Sequence, residues 1–106
     1  MPLHPIRVGP VALGTSNATL YLARHTERLV WIQVTNTTGS VKTVTLAVVP
    51  AGETLGTIHH VMSAAQIALN DLVLLSVQIP MMPGDTIQGS ASAAGLNFRA
   101  MVEIEP

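Results

Sequence analysis

The sequence predicts an all-β fold, an antiparallel β-sandwich of jelly-roll-like type, and three observations predict it. Short runs alternate apolar with other side chains, most cleanly where Leu96, Phe98, Ala100, Val102 and Ile104 interleave with Asn97, Arg99, Met101 and Glu103. Turn-forming residues separate such runs at intervals of roughly ten residues. The 106 residues are enough for one core and suit a sandwich of about eight short strands.

The elements follow in chain order. Residues 1–14 carry Pro2, Pro5, Gly9, Pro10 and Gly14. Proline fixes φ and removes a donor, so this stretch reads as an extended N-terminal arm or irregular edge ahead of a single sandwich domain, 15–106. Its apolar residues, Leu3, Ile6, Val8, Val11 and Leu13, either lie across their own domain or reach onto a neighbouring subunit. After a turn at Thr15-Ser16-Asn17, Ala18–Ala23 reads as a strand, and Arg24–Glu27 as its polar connection. Leu29–Thr35 is the next strand, with Val30, Ile32 and Val34 towards the core and Trp31 on the opposite face, where it needs cover from a loop or a partner. Asn36–Ser40 is a hairpin loop, and Val41–Val49 returns with Val44, Leu46 and Val48 inward and Thr43, Thr45 and Ala47 outward.

Between Thr54 and Leu69, Ile58, Val61, Met62, Ala65 and Leu69 stand at helical spacing. The all-β context favours a strand at Thr57–Ser63, a loop, and a short strand at Gln66–Leu69. Asn70-Asp71 turns the chain into Leu72–Ile79, read as a buried strand. Pro83-Gly84-Asp85 turns it again into Thr86–Ser92, whose small inward residues Gly89 and Ala91 invite a close neighbour. Ala94-Gly95 leads into the final strand.

Composition excludes several function classes. Charged residues are 10% of the chain, against roughly 25% in typical domains, and the net charge is −1. So little charge favours association, and an oligomer or a component of a larger assembly is expected. Five scattered Lys and Arg make no basic stripe, and one each of Phe, Tyr and Trp make no stacking platform, so no nucleic-acid role is expected. There are no cysteines, hence no disulfide or thiolate metal site. The first residues lack the long apolar core of a secretory signal, and the apolar run Leu72–Met82 is too short for a membrane-spanning helix, so the chain reads as soluble without a membrane partner.

The sequence holds no enzyme motif, and neither catalytic residues, cofactor nor metal are expected. Its six acidic residues are dispersed, no G-x-S-x-G elbow occurs, and no glycine-rich phosphate loop carries a lysine. His59-His60 is the one adjacent pair of ligand-type residues. Strand neighbours point to opposite faces, so the two share a metal only if copies converge at a symmetry axis. Asp85, without nearby carboxylates, reads as a turn cap rather than a Ca²⁺ ligand. The interface candidates are therefore Leu3, Ile6, Val8, Val11, Trp31, His59 and His60.

Three stretches together resemble small structural proteins of tailed bacteriophages. They are Thr19-Leu20-Tyr21, the hairpin Asn36-Thr37-Thr38-Gly39-Ser40 with Val44-Thr45-Leu46-Ala47-Val48-Val49-Pro50-Ala51-Gly52, and the turn-strand Pro83–Ala94 with the closing Val102-Glu103-Ile104. The resemblance covers about residues 18–104; the first fourteen residues and the connection Arg24-His25-Thr26-Glu27-Arg28 depart from the pattern. It implies a non-enzymatic β-sandwich of the virion, made in the host cytoplasm. The role implied is that of a capsid decoration or cement protein, bound to the outer surface of the shell and stabilising capsomer contacts. Its partners would be the major capsid protein and copies of itself, as dimer or trimer. A minor tail or tail-fibre component, binding host surface glycan, is the alternative.

Overall fold

The computed structural model describes residues 4–104. Eight strands occur among them: β1 (His4–Ala12), β2 (Ala18–Leu22), β3 (Glu27–Asn36), β4 (Lys42–Val49), β5 (His60–Ile67), β6 (Asp71–Met81), β7 (Thr86–Ala91) and β8 (Leu96–Ile104). They form two four-stranded sheets, ordered β1-β8-β3-β6 and β2-β7-β4-β5, with antiparallel pairing throughout. The first strand pairs with the last, the second with the seventh, the third with the sixth and the fourth with the fifth. The chain is thus one long hairpin wound across both layers, the arrangement of a jelly roll. The predicted β-sandwich is what the chain forms.

Alternation builds the core. Phe98, Ala100 and Val102 of β8 have no exposed surface, and Leu29, Val34, Val44, Leu46, Ile87 and Leu96 are buried with them. Each fully buried side chain of this size contributes about 1.5–3 kcal/mol of transfer free energy. Gly89 of β7 is the tight spot that its size suggests. A Cβ there would lie 2.6 Å from Leu46 Cδ2 and 3.1 Å from Leu20 Cδ1, so the close neighbours are leucines on the flanking strands β4 and β2.

The stretch read as an arm enters the first sheet. β1 runs along β8 from His4 opposite Ile104 to Ala12 opposite Asn97, with a register shift between Val8 and Val11. Gly9, at φ +83°, and the cis Gly9–Pro10 bond occupy that shift. The sandwich therefore includes this segment as its own edge strand.

Four strand readings are corrected. In β3, the pairing with β8 shifts between Leu29 and Trp31, so Val30 is the extra residue of a bulge. Leu29 and Ile32 are both buried, and Val30 leaves the core. In the Thr54–Leu69 region there is neither a helix nor two strands: a 3-10 turn at Thr57–His59 leads into the single strand β5. β5 shifts register against β4, with Ala64 at φ 47° and its N–H bonded to Thr45 Oγ1 at 3.1 Å. That kink turns both Met62 and Ile67 inward despite their odd spacing, while Ile58 and Leu69 of the helically spaced set are exposed. Leu72–Ile79 is half-buried on one face only, where Val73, Leu75, Val77 and Ile79 pack against the core, and exposed on the other. It belongs to β6 at the edge of the first sheet, with Leu72 48% and Leu74 60% exposed. Finally, in β4 Val44 and Leu46 are buried as expected, but Val48 is only half-buried, and Ala47 and Val49 are buried instead, where the 3-10 turn packs against that strand.

Candidate interaction surfaces

Buried polar groups fix the two ends of the sandwich. At one end the β2–β3, β4–β5 and β6–β7 connections meet. Glu27 is 1% exposed. Its carboxylate accepts hydrogen bonds from Tyr21 Oη at 2.6 Å and from the backbone N–H groups of Arg24 and His25 at 3.2 Å. Burial pushes the Tyr21 hydroxyl well above its ordinary range, and its bond to the Glu27 carboxylate adds to the shift. Asp85 does cap its turn, accepting from Met82 N–H, and it also accepts from Ala51 N–H, both at 2.9 Å, which ties two loops together. His59 Nδ1 accepts from Gly56 N–H at 2.9 Å, so Nε2 carries the proton donated to Glu53 Oε1 at 3.0 Å.

At the opposite end Asn36, also 1% exposed, organises the β3–β4 loop. Its Nδ2 donates to Ser40 O at 2.8 Å and Ile67 O at 3.1 Å, while Oδ1 accepts from Thr38 N–H at 2.9 Å and Thr38 Oγ1 at 2.6 Å. Beside it, Thr35, Asn36, Thr37, Asn70, Asp71 and Leu72 line an open depression of about 260 Å³. Every buried side-chain polar atom among the described residues has a hydrogen-bond partner, so none is held in reserve for a ligand.

The interface candidates do not converge. Leu3 lies outside the described residues. Ile6, Val8 and Val11 are in β1, and Val8, 6% exposed, belongs to the core of its own chain. Trp31 is half-buried on the outer face of the first sheet, with the Arg99 guanidinium 6.0 Å from its ring centroid. The cover that Trp31 needs comes in part from that neighbouring strand. His59 ends the 3-10 turn and His60 starts β5 of the second sheet, and they turn to different partners, Glu53 and Ser63. Among the described residues no group of three or more His, Cys, Asp or Glu stands close enough to hold a metal.

The exposed large apolar residues are the more informative set. Leu22, Ile58 and Met82, at 44%, 87% and 59% exposure, stand at the end held by Glu27 and Asp85. Val41 and Leu69 stand at the other end, and Leu72 and Leu74 on β6. Sequence reading passed over these residues. For β6 a signal existed: Leu72 and Leu74 share a parity with Ser76, Gln78 and Pro80, which marks that face as the wet one. For Ile58, in an irregular connection, no periodic signal exists.

No protein-family model matches the sequence, and no curated protein matches it. Solved structures do match in fold. One described as "Structure of infectious bursal disease virus Gx strain" superposes with a TM-score of 0.56 over 99% of this chain at 12% identity. The present chain spans 30% of the length of that one. At such identity the likeness is one of fold.

Proposed function

We propose that this chain is a non-enzymatic structural protein of a virus particle, and specifically a decoration or cement protein on the outer surface of a capsid shell. The observation that carries the proposal is the jelly-roll fold of the described chain, which superposes on part of a chain from a virus structure. The resemblance of residues 18–104 to small structural proteins of tailed bacteriophages points the same way. So does a surface with a net charge of −1 and exposed apolar residues. A protein bound many times in a symmetric shell needs only modest individual contacts, because multivalency multiplies them.

The end bearing Leu22, Ile58 and Met82 is the surface assigned to the shell. β1 suits that role less well, since Val8 is committed to its own core. Purified protein added to capsids lacking it, followed by sedimentation, tests the proposal. Binding to shells, lost in Ile58→Asp, is the expected result. Binding to isolated tails but not to shells would overturn it in favour of a tail component.

A further inference from the structure

Four strands form the edges of the two sheets: β1 and β6 in the first, β2 and β5 in the second. An edge strand presents unpaired N–H and C=O groups to any passing strand, and proteins ordinarily blunt such edges with proline, charge, bulges or short length. Three of the four are blunted here. β1 carries Pro5, Arg7 and the Gly9-Pro10 irregularity. β2 has five residues and a register shift. β5 is kinked at Ala64.

β6 has none of these devices along its first half. From Asp71 to Ser76 it runs in unbroken register with β3, Asp71 opposite Asn36 and Ser76 opposite Trp31. It holds no charge from Leu72 to Met81, and its proline is delayed to position 80. Its outward residues Leu72 and Leu74 stand beside Thr35 and Gln33 of β3, so the face around them is uncharged too.

We propose that two copies of this chain pair through β6, antiparallel about a two-fold axis near Leu74, joining two four-stranded sheets into one continuous sheet. Bare backbone selects an extended strand as the occupant. Three features select a second copy. A two-fold makes the contact antiparallel, which sets Leu74 against Leu74 and Leu72 against Ser76 of the partner, on the same face. The one charge of β6, Asp71, falls at opposite ends of the paired strands, about 20 Å from its symmetry mate at roughly 3.4 Å per residue. The net charge of −1 leaves little repulsion between copies. The inference rests on edge geometry and stands apart from the shell-binding proposal.

Sedimentation equilibrium of the full chain, without shells present, tests it. A dimer is expected, reduced to monomer by Leu74→Lys, which brings two ammonium groups together at the axis while leaving the fold, read by circular dichroism, intact. The chain has no cysteine, so Leu74→Cys gives a clean second readout. Mild oxidation should link two copies through position 74, because directly opposed strand residues fall within disulfide reach. Leu22→Cys, also exposed but on β2, should not be linked. A wild-type chain that stays monomeric overturns the proposal, as does a dimer that survives Leu74→Lys and fails to cross-link at position 74.

Discussion

The two edges of the first sheet, β1 and β6, both pack inward but present different outer faces. β1 sends Val8 into the core, and its backbone bends at Gly9-Pro10 to stay on β8. β6 buries Met81 and packs Val73, Leu75, Val77 and Ile79 against the core, yet turns Leu72 and Leu74 to solvent, and it lies on β3, whose two ends are each fixed by a buried polar residue. Asn36 sits opposite Asp71 at the start of β6, and Glu27 opposite Met81 at its end. An edge whose outer face is apolar and in unbroken register offers that face to another molecule; β1, with Arg7 exposed and its bend at Gly9-Pro10, offers no such face.

The sharpest way to break this contrast is Gly9→Ala. Gly9 has φ +83°, and a Cβ there would lie 2.5 Å from the carbonyl oxygen of Phe98, a backbone atom that cannot swing aside. Strain and clash together should cost about 3 kcal/mol, seen as a lower melting temperature and as amide exchange along β1 and its partner β8. A wild-type-like melt would mean that β1 is a loose arm after all. Asn36→Ala should cost about 2–3 kcal/mol, since it strips hydrogen bonds from the Ile67 and Ser40 carbonyls and the Thr38 amide. Its exchange signature should appear at the start of β6 and leave β1 protected.

A smaller effect separates the side chains of the two edges. Val8→Ala should cost about 1.5–2.5 kcal/mol by denaturant titration, as a buried core truncation does. Leu74→Ala, at a position 60% exposed, should stay within about 0.5 kcal/mol when measured at low protein concentration. Equal costs at the two positions would show that β6 is packed as tightly as β1.

How far this contrast could be read from sequence depends on where alternation stays unbroken. β8 alternates through Phe98, Ala100 and Val102, and all three are buried as expected. The strand count and the sandwich follow from such runs and the turns between them. Bulges defeat the same reasoning, because one inserted residue reverses the parity of everything after it. Val30 left the core for that reason, and the kink at Ala64 turns both Met62 and Ile67 of β5 inward across an odd spacing. Nor does alternation say which strand lies at an edge, since that is a matter of topology. Leu72–Ile79 is apolar enough to read as buried, and only the shared parity of Leu72 and Leu74 with Ser76, Gln78 and Pro80 tells against it. The interaction surfaces were correspondingly faint: Ile58 and Leu74 are ordinary apolar residues until the fold places them outside.

A last, modest loss of contact tests the far end of β6. Tyr21→Phe removes the hydroxyl that donates to Glu27 Oε1 at 2.6 Å, leaving two backbone donors on that carboxylate. The cost near neutral pH should be about 1 kcal/mol. Its pH dependence carries more information. The folded chain raises the Tyr21 ionisation above the ordinary value of 10.0, so the unfolded chain releases this proton first. The contribution is therefore complete below pH 10 and is lost as the pH rises beyond it. The wild type should lose stability in that alkaline range faster than Tyr21→Phe, so the gap between their melting temperatures should close. Amide exchange at neutral pH should quicken near Met81 at the end of β6, while residues of β1 stay unchanged. Parallel pH profiles for the two proteins would mean that the Tyr21–Glu27 bond does not fasten the end of β3 on which β6 lies.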